Sequence, residues 1–233
     1  MKNVTTVFNK SMKMSDLIDA DCNLLLLLLR LNIPLGFGDK SVETVCQQNG
    51  FDVNCFLFLA NFQSSKSIIN VEEEFGKLRV EPFLYYLRSS HDYFLKDRLP
   101  NIRRKLQLVF APEEKDLSDV IMNFFDNYVK EVYDHMTYED EVVFPYIYSL
   151  LKRTNNNGYN IGIFEERHNN IENEVEELKR ILMKYLPGMK NQRLITNILL
   201  ELFTTQEELG VHTFIEDNLV VPRIREIEKE QLK

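Results

Sequence analysis

The chain has 233 residues, 44% apolar and 27% charged, with 28 Lys and Arg against 36 Asp and Glu for a formal net charge of -8. That length can bury a substantial core as one large domain or two modest ones, while the acidic balance excludes a broadly basic nucleic-acid surface. Three cysteines cannot close a disulfide framework and suit a reducing compartment. Taken in chain order, residues 1–14 read as loosely attached. Ser15 or Asp16 then caps a helix running to about Arg30. Leu24 to Leu29 is its longest apolar run, six leucines, read as a helix buried on most sides. Arg30 stops it far short of the ~20 residues a bilayer span needs. With no secretory leader or anchor read from the chain, the cytoplasm is the expected location. Asn32 to Gly38 is a turn punctuated by Pro34, Gly36 and Gly38. Ser41 caps a short helix that stops at Asn49-Gly50, where glycine suits the left-handed position. Asp52 or Asn54 starts a third helix to about Asn61, and Ser64 to Ser67 is a polar break.

After Glu72-Glu73-Glu74 the periods lengthen. Helices are expected at about 80–110, 114–152, 162–186 and 190–229. Ala111-Pro112, Arg153 to Gly158 and Pro187-Gly188 separate them. No stretch sustains a two-residue alternation, so no strands are expected. The fold class is therefore all-α: an antiparallel four-helix bundle over residues 80–229, preceded by a small helical domain over residues 1–66. Pro100, Pro145 and Pro222 fall inside the long helices and should kink them. Two motifs fail. Gly36 to Ser41 lacks the first glycine and the preceding strand of a phosphate loop. Asp19, Asp21 and Asn23 have calcium-loop spacing, but the glycine is missing and Arg30 stands where the bidentate acid belongs.

The informative residues are the four histidines, His91, His135, His168 and His212, one on each long helix, with gaps of 44, 33 and 44 residues. A shift of 77 residues carries His91 to His168, His135 to His212, Glu139 to Glu216 and Pro145 to Pro222. Over that second pair of helices, six of thirteen positions from His135 to Ile147 match His212 to Ile224. A helix pair has been duplicated. Residues four apart lie on one helical face, about 5–6 Å between Cβ atoms, so each His-x-x-x-Glu helix offers an imidazole and a carboxylate to one space. Four imidazoles and two carboxylates converge on the bundle interior. Shared between two ions, they give two His per metal with Glu139 and Glu216 both bridging, the logic of di-iron carboxylate bundles. Iron suits this donor set, with manganese or zinc as alternatives. With an added oxo or hydroxo bridge, each iron would have five ligands and keep one position for dioxygen or nitric oxide.

One such histidine alone is more often a satisfied core residue; four in duplicated register with two glutamates are not. Asp140 and Asp217 also repeat at 77, but five residues from His they lie about 140° around the helix, against about 40° for the glutamates. They are left out of the ligand set. Tyr93, Tyr133 and Tyr138 lie near the ligands in sequence and are read as core or interface aromatics.

These residues resemble the hemerythrin-like cation-binding family, and most strongly its iron–sulfur cluster repair branch, the RIC di-iron proteins. Marine-worm hemerythrins use a fifth His and a His-x-x-x-x-Asp pair, whereas this chain has two His-x-x-x-Glu pairs and no fifth His. Asp21-Cys22-Asn23 through Leu35-Gly36-Phe37 is similar to the small domain ahead of the bundle in that branch. The resemblance implies a cytosolic non-haem di-iron protein that restores iron–sulfur clusters after nitrosative or oxidative stress. It would bind or reduce nitric oxide or dioxygen, with iron–sulfur proteins and a second copy of itself as partners. It departs in one respect: many members carry Cys-Cys just after the turn, where this chain has Gly38-Asp39. A non-catalytic sensor or store for oxygen, nitric oxide or iron is the alternative, and turnover is left open. Cys22, Cys46 and Cys55 are all expected to be buried.

Overall fold

Helix formation accounts for the regular structure, and no strand occurs among the described residues; Lys13 and Ser41 form one isolated antiparallel bridge. The structure is a computed structural model and describes residues 7–65, 70–110, 115–154, 158–167, 172–184 and 191–231. The expected breaks at Ala111-Pro112 and Pro187-Gly188, and His168, lie outside these residues. The chain divides into two units, Met1–Ser90 with Asn218–Arg223, and His91–Asp217 with Ile224–Lys233.

The first unit contains α1 (Met14–Ala20), α2 (Leu24–Arg30), α3 (Val42–Gln48), α4 (Val53–Ser65), α5 (Val71–Gly76) and residues 81–90 of α6 (Glu81–Asp92). The single helix expected up to Arg30 is two. The Asp21 carboxylate accepts the Asn23 amide at 3.0 Å, a local bond that competes with the helical ladder and ends it. No side chain caps α1, which begins at Met14. The leucine run is buried on one face only: Leu24, Leu27 and Leu28 are covered, while Leu25 and Leu29 are 40% and 57% exposed. Cys46 and Cys55 are buried as expected, but Cys22, in the break between α1 and α2, is exposed. Residues 7–14 are tied down. Phe8 is buried, and its backbone exchanges hydrogen bonds with the Asn61 amide. The expected caps of α3 and α4 are present. Ser41 Oγ accepts the Thr44 amide at 3.2 Å, Asp52 accepts the Asn54 and Cys55 amides at 2.9 and 3.2 Å, and Gly50 has φ +68°. Helix α5 was not expected. Its Phe75 packs at 4.7 Å from the Phe83 ring, and Phe58 meets Phe83 edge-on at 5.4 Å; aromatic pairs of this kind add about 0.5–1.5 kcal/mol beyond area burial.

The second unit holds the bundle. Its elements are α7 (Leu99–Gln107), α8 (Lys115–Tyr138), α9 (Phe144–Leu151), α10 (Ile161–Arg167), α11 (Glu172–Lys184) and α12 (Gln192–Ile215), with most of α13 (Val221–Gln231). Helix α7 packs on α8, α8 on α11, α11 on α12, and α12 back on α7, a closed ring of four. The buried residues of α8, Ile121, Phe125, Tyr128, Val132 and Met136, recur every three or four positions, the spacing that turns one helical face inward. On α12 the inward stripe runs through Ile195, Ile198, Leu202, Thr205, Leu209, His212 and Ile215. No helix among the described residues is long and apolar enough to cross a membrane.

The three internal prolines act in a specific way. Each stands second in an α-helix that follows a π-helical segment: π1 (Tyr93–Arg98) before Pro100, π2 (Glu139–Val143) before Pro145, and π3 (Glu216–Val220) before Pro222. Proline removes one N–H and its ring crowds the carbonyl four residues back. A widened turn relieves that crowding without ending the helix. π2 and π3 are offset by 77 residues, the period of the sequence duplication.

Candidate metal centre

All of the described residues of this site belong to the second unit. His91 lies at the end of α6, directly before π1; His135 lies in the last turn of α8 and His212 in the last turn of α12. Glu139 and Glu216 are the first residues of π2 and π3. The π-helical turns before Pro145 and Pro222 therefore begin at the two carboxylates, and π-type turns are often used to aim a functional side chain.

Four of these side chains converge. His91, Glu139, His212 and Glu216 each offer one ligand atom, all within 4.8 Å of one another, and all four residues are at most 2% exposed. His91 Nε2 is 3.0 Å from Glu139 Oε2 and 3.2 Å from His212 Nε2. His212 Nε2 is 3.1 Å from Glu216 Oε1. The other Glu139 oxygen, Oε1, is 2.8 Å from His135 Nε2. One carboxylate thus faces a histidine with each of its oxygens, the disposition a bridging ligand needs. His168 lies outside the described residues.

The electrostatics are those of a site built for a cation. Two buried carboxylates in one pocket are costly unless positive charge is supplied. Burial alone lowers the His91 pKa. Its hydrogen bonds to Asp140 and Glu139, with the charges of Glu139 and Glu216, outweigh that and hold it up to about 10. Imidazole nitrogens and carboxylate oxygens are also the donors that iron, manganese and zinc accept, so the residues present fit a metal ion.

Asp140, left out as a ligand, has another place. Its Oδ1 is 3.0 Å from His91 Nδ1. In the neutral ring that a metal requires, an Nδ1–H donating to Asp140 leaves the Nε2 lone pair facing Glu139 and His212, the arrangement that orients metal-bound histidines. The signal was present in the sequence: Asp140 repeats at 77 with the ligand pairs. Apolar rings wall the centre. Phe144 stacks on His91 at 5.4 Å and 14°, and Phe94 lies edge-on to His212 at 6.2 Å. A second buried polar group lies one turn before His212. Glu208 accepts Arg98 Nη2 at 3.3 Å and the Tyr93 hydroxyl at 3.5 Å; the spacing Glu208-x-x-x-His212 is its only mark in the sequence.

The family model described as hemerythrin HHE cation binding domain matches residues 83–224. The chain belongs to the hemerythrin HHE cation-binding family. It is accordingly a metal-binding protein, and His91, Glu139, His212 and Glu216 form a buried cluster able to hold a metal ion. No curated protein matches the chain.

Proposed function

We propose that this hemerythrin-family protein holds two iron ions through His91, His135, Glu139, His168, His212 and Glu216, with both glutamates bridging, and acts on nitric oxide or dioxygen in the repair of damaged iron–sulfur clusters. The observation that carries the reading is the split Glu139 carboxylate, with Oε2 at 3.0 Å from His91 and Oε1 at 2.8 Å from His135. One ion would take His91 and His212, whose Nε2 atoms are 3.2 Å apart. The other would take His135 together with His168, the partner of His91 under the 77-residue duplication. When bound, iron supplies one-electron redox chemistry and a coordination position for a diatomic ligand. The chain's own residues do the rest. Asp140 orients His91, Glu139 and Glu216 balance the cationic charge, and Phe144 and Phe94 exclude water on the sides they cover. The similarity of Asp21-Cys22-Asn23 through Leu35-Gly36-Phe37 to the small domain of that branch, with the two His-x-x-x-Glu pairs, supports the repair reading.

A second reading, a non-catalytic sensor or store for oxygen, nitric oxide or iron, is favoured by one feature. Gly38-Asp39 replaces the vicinal thiols of the repair branch, so thiol-assisted transfer of metal or electrons has no residues there to perform it. The test is anaerobic loading with ferrous iron, followed by metal analysis and Mössbauer spectroscopy, then addition of nitric oxide. Two coupled irons per chain are expected, and Glu139→Ala should lose them. Nitrous oxide formed over several turnovers supports catalysis; a stable stoichiometric adduct supports sensing. Protein that retains no iron overturns both.

A further inference from the structure

Tyr138 sits between two ligand candidates, three residues after His135 and one before Glu139, and residues three apart are neighbours on a helix surface. Its hydroxyl is 3.1 Å from the Tyr159 hydroxyl. The Tyr159 ring lies 4.8 Å from that of Tyr146. The Tyr146 hydroxyl donates to the Glu228 carboxylate, which also accepts the Ile161 amide at 2.8 Å. Tyr146 is buried, whereas Tyr138, Tyr159 and Glu228 are half-buried. Three phenols therefore stand in a line that begins on the residue next to Glu139 and ends on a base with access to solvent. Aromatic packing alone requires neither the paired hydroxyls nor a carboxylate at the far end.

Resting on the iron reading above, we propose that Tyr138, Tyr159 and Tyr146 form an electron relay that supplies a missing reducing equivalent to the metal centre, with Glu228 taking the phenol proton. The case it serves is a centre that holds a single ferrous ion when it meets hydrogen peroxide, a two-electron oxidant. Peroxide is reduced to two waters by one electron from the ferrous ion, which becomes ferric, and one from Tyr146, passed through Tyr159 and Tyr138. Two protons come from solvent. The Tyr146 O–H bond breaks, its proton goes to Glu228, and a neutral tyrosyl radical remains at Tyr146. The oxidising equivalent thus leaves the neighbourhood of His135 and Glu139 and waits where a reductant can quench it. Burial and the bond to Glu228 raise the Tyr146 pKa, so the phenol keeps its proton until oxidation releases it.

The test uses the full chain loaded with iron, poised with one ferrous ion per pair, mixed with one equivalent of hydrogen peroxide and freeze-quenched for electron paramagnetic resonance. Iron content and circular dichroism are measured on the same samples. A tyrosyl radical is expected whose signal narrows when ring-deuterated tyrosine is incorporated. It should be lost in Tyr138→Phe, which removes the first phenol of the line, and shortened in lifetime in Glu228→Gln, which keeps an acceptor for both hydrogen bonds but cannot take the proton. Tyr133→Phe, at an exposed position of α8, the helix that carries Tyr138, should leave the signal unchanged. A radical of equal yield in Tyr138→Phe, or iron oxidation with no tyrosyl radical, overturns the relay and leaves the di-iron reading intact. Failure of the wild-type chain to bind iron overturns both.

Discussion

Asp140 shows how a single residue can matter to a metal centre without touching it. Its carboxylate, 25% exposed, holds the His91 ring from behind at 3.0 Å. That bond fixes the tautomer and makes the imidazole a stronger donor. Asp140→Asn keeps the shape and removes the charge. Metal affinity should fall by roughly 10- to 100-fold, the usual cost of losing such a partner, with the helical content unchanged. Competition against a chromogenic chelator measures it. An unaltered affinity would mean that packing against Phe144 alone holds the ring. Arg30 illustrates the same principle away from the centre. It is 3% exposed and donates to the Tyr86 hydroxyl at 3.0 Å, as does Gln63. A guanidinium can stay buried there because an acceptor is built in.

At the scale of elements, the helices of the first unit sort the three thiols. Cys46 on α3 and Cys55 on α4 are pushed up to about 12, chiefly by burial and then by the nearby charge of Asp52. Cys22 is exposed in the break between α1 and α2. The thiolate is the reactive form, so alkylation at pH 8 should label Cys22 quickly and the other two only on unfolding; mass spectrometry of the timed products reads this directly. The same shift gives a sign for stability. A thiol whose pKa is raised by folding stays neutral in the native state while the unfolded chain ionises above about 9. The contribution of both groups is intact below that pH and is lost as pH rises from about 9 towards 12. Denaturant midpoints should decline across that window, and less so when Cys46 and Cys55 are both replaced by alanine.

For the whole molecule, the decisive quantity is how much the cation adds to folding. A ligand that binds only the native state stabilises it by about 4 kcal/mol when present at a thousand times its dissociation constant. For a chain of this size that is a shift in melting temperature of roughly 8–16 °C. Iron-loaded protein should therefore melt well above protein stripped with chelator. Equal melting curves would contradict a buried cation site, whichever metal is used.

The sequence by itself determined the helical class, the bundle and its duplicated His and His-x-x-x-Glu helices. Those features are written as periods: three to four residues for an inward face, four for a ligand pair, 77 for the repeat. Periodicity survives in one dimension, which is why His91, Glu139, His212 and Glu216 could be named before their side chains were seen within 4.8 Å of one another. Only the tertiary structure decided the rest. The break at Asp21 is local, a side-chain bond to the Asn23 amide that periodicity does not register, whereas which half of the leucine run is exposed follows from the packing of α2. Each proline follows a widened π-helical turn through which the helix continues. Asp140 behind His91 and the line from Tyr138 to Glu228 join residues separated by 49 and by 13 to 82 positions, distances over which no local pattern constrains which side chains will meet.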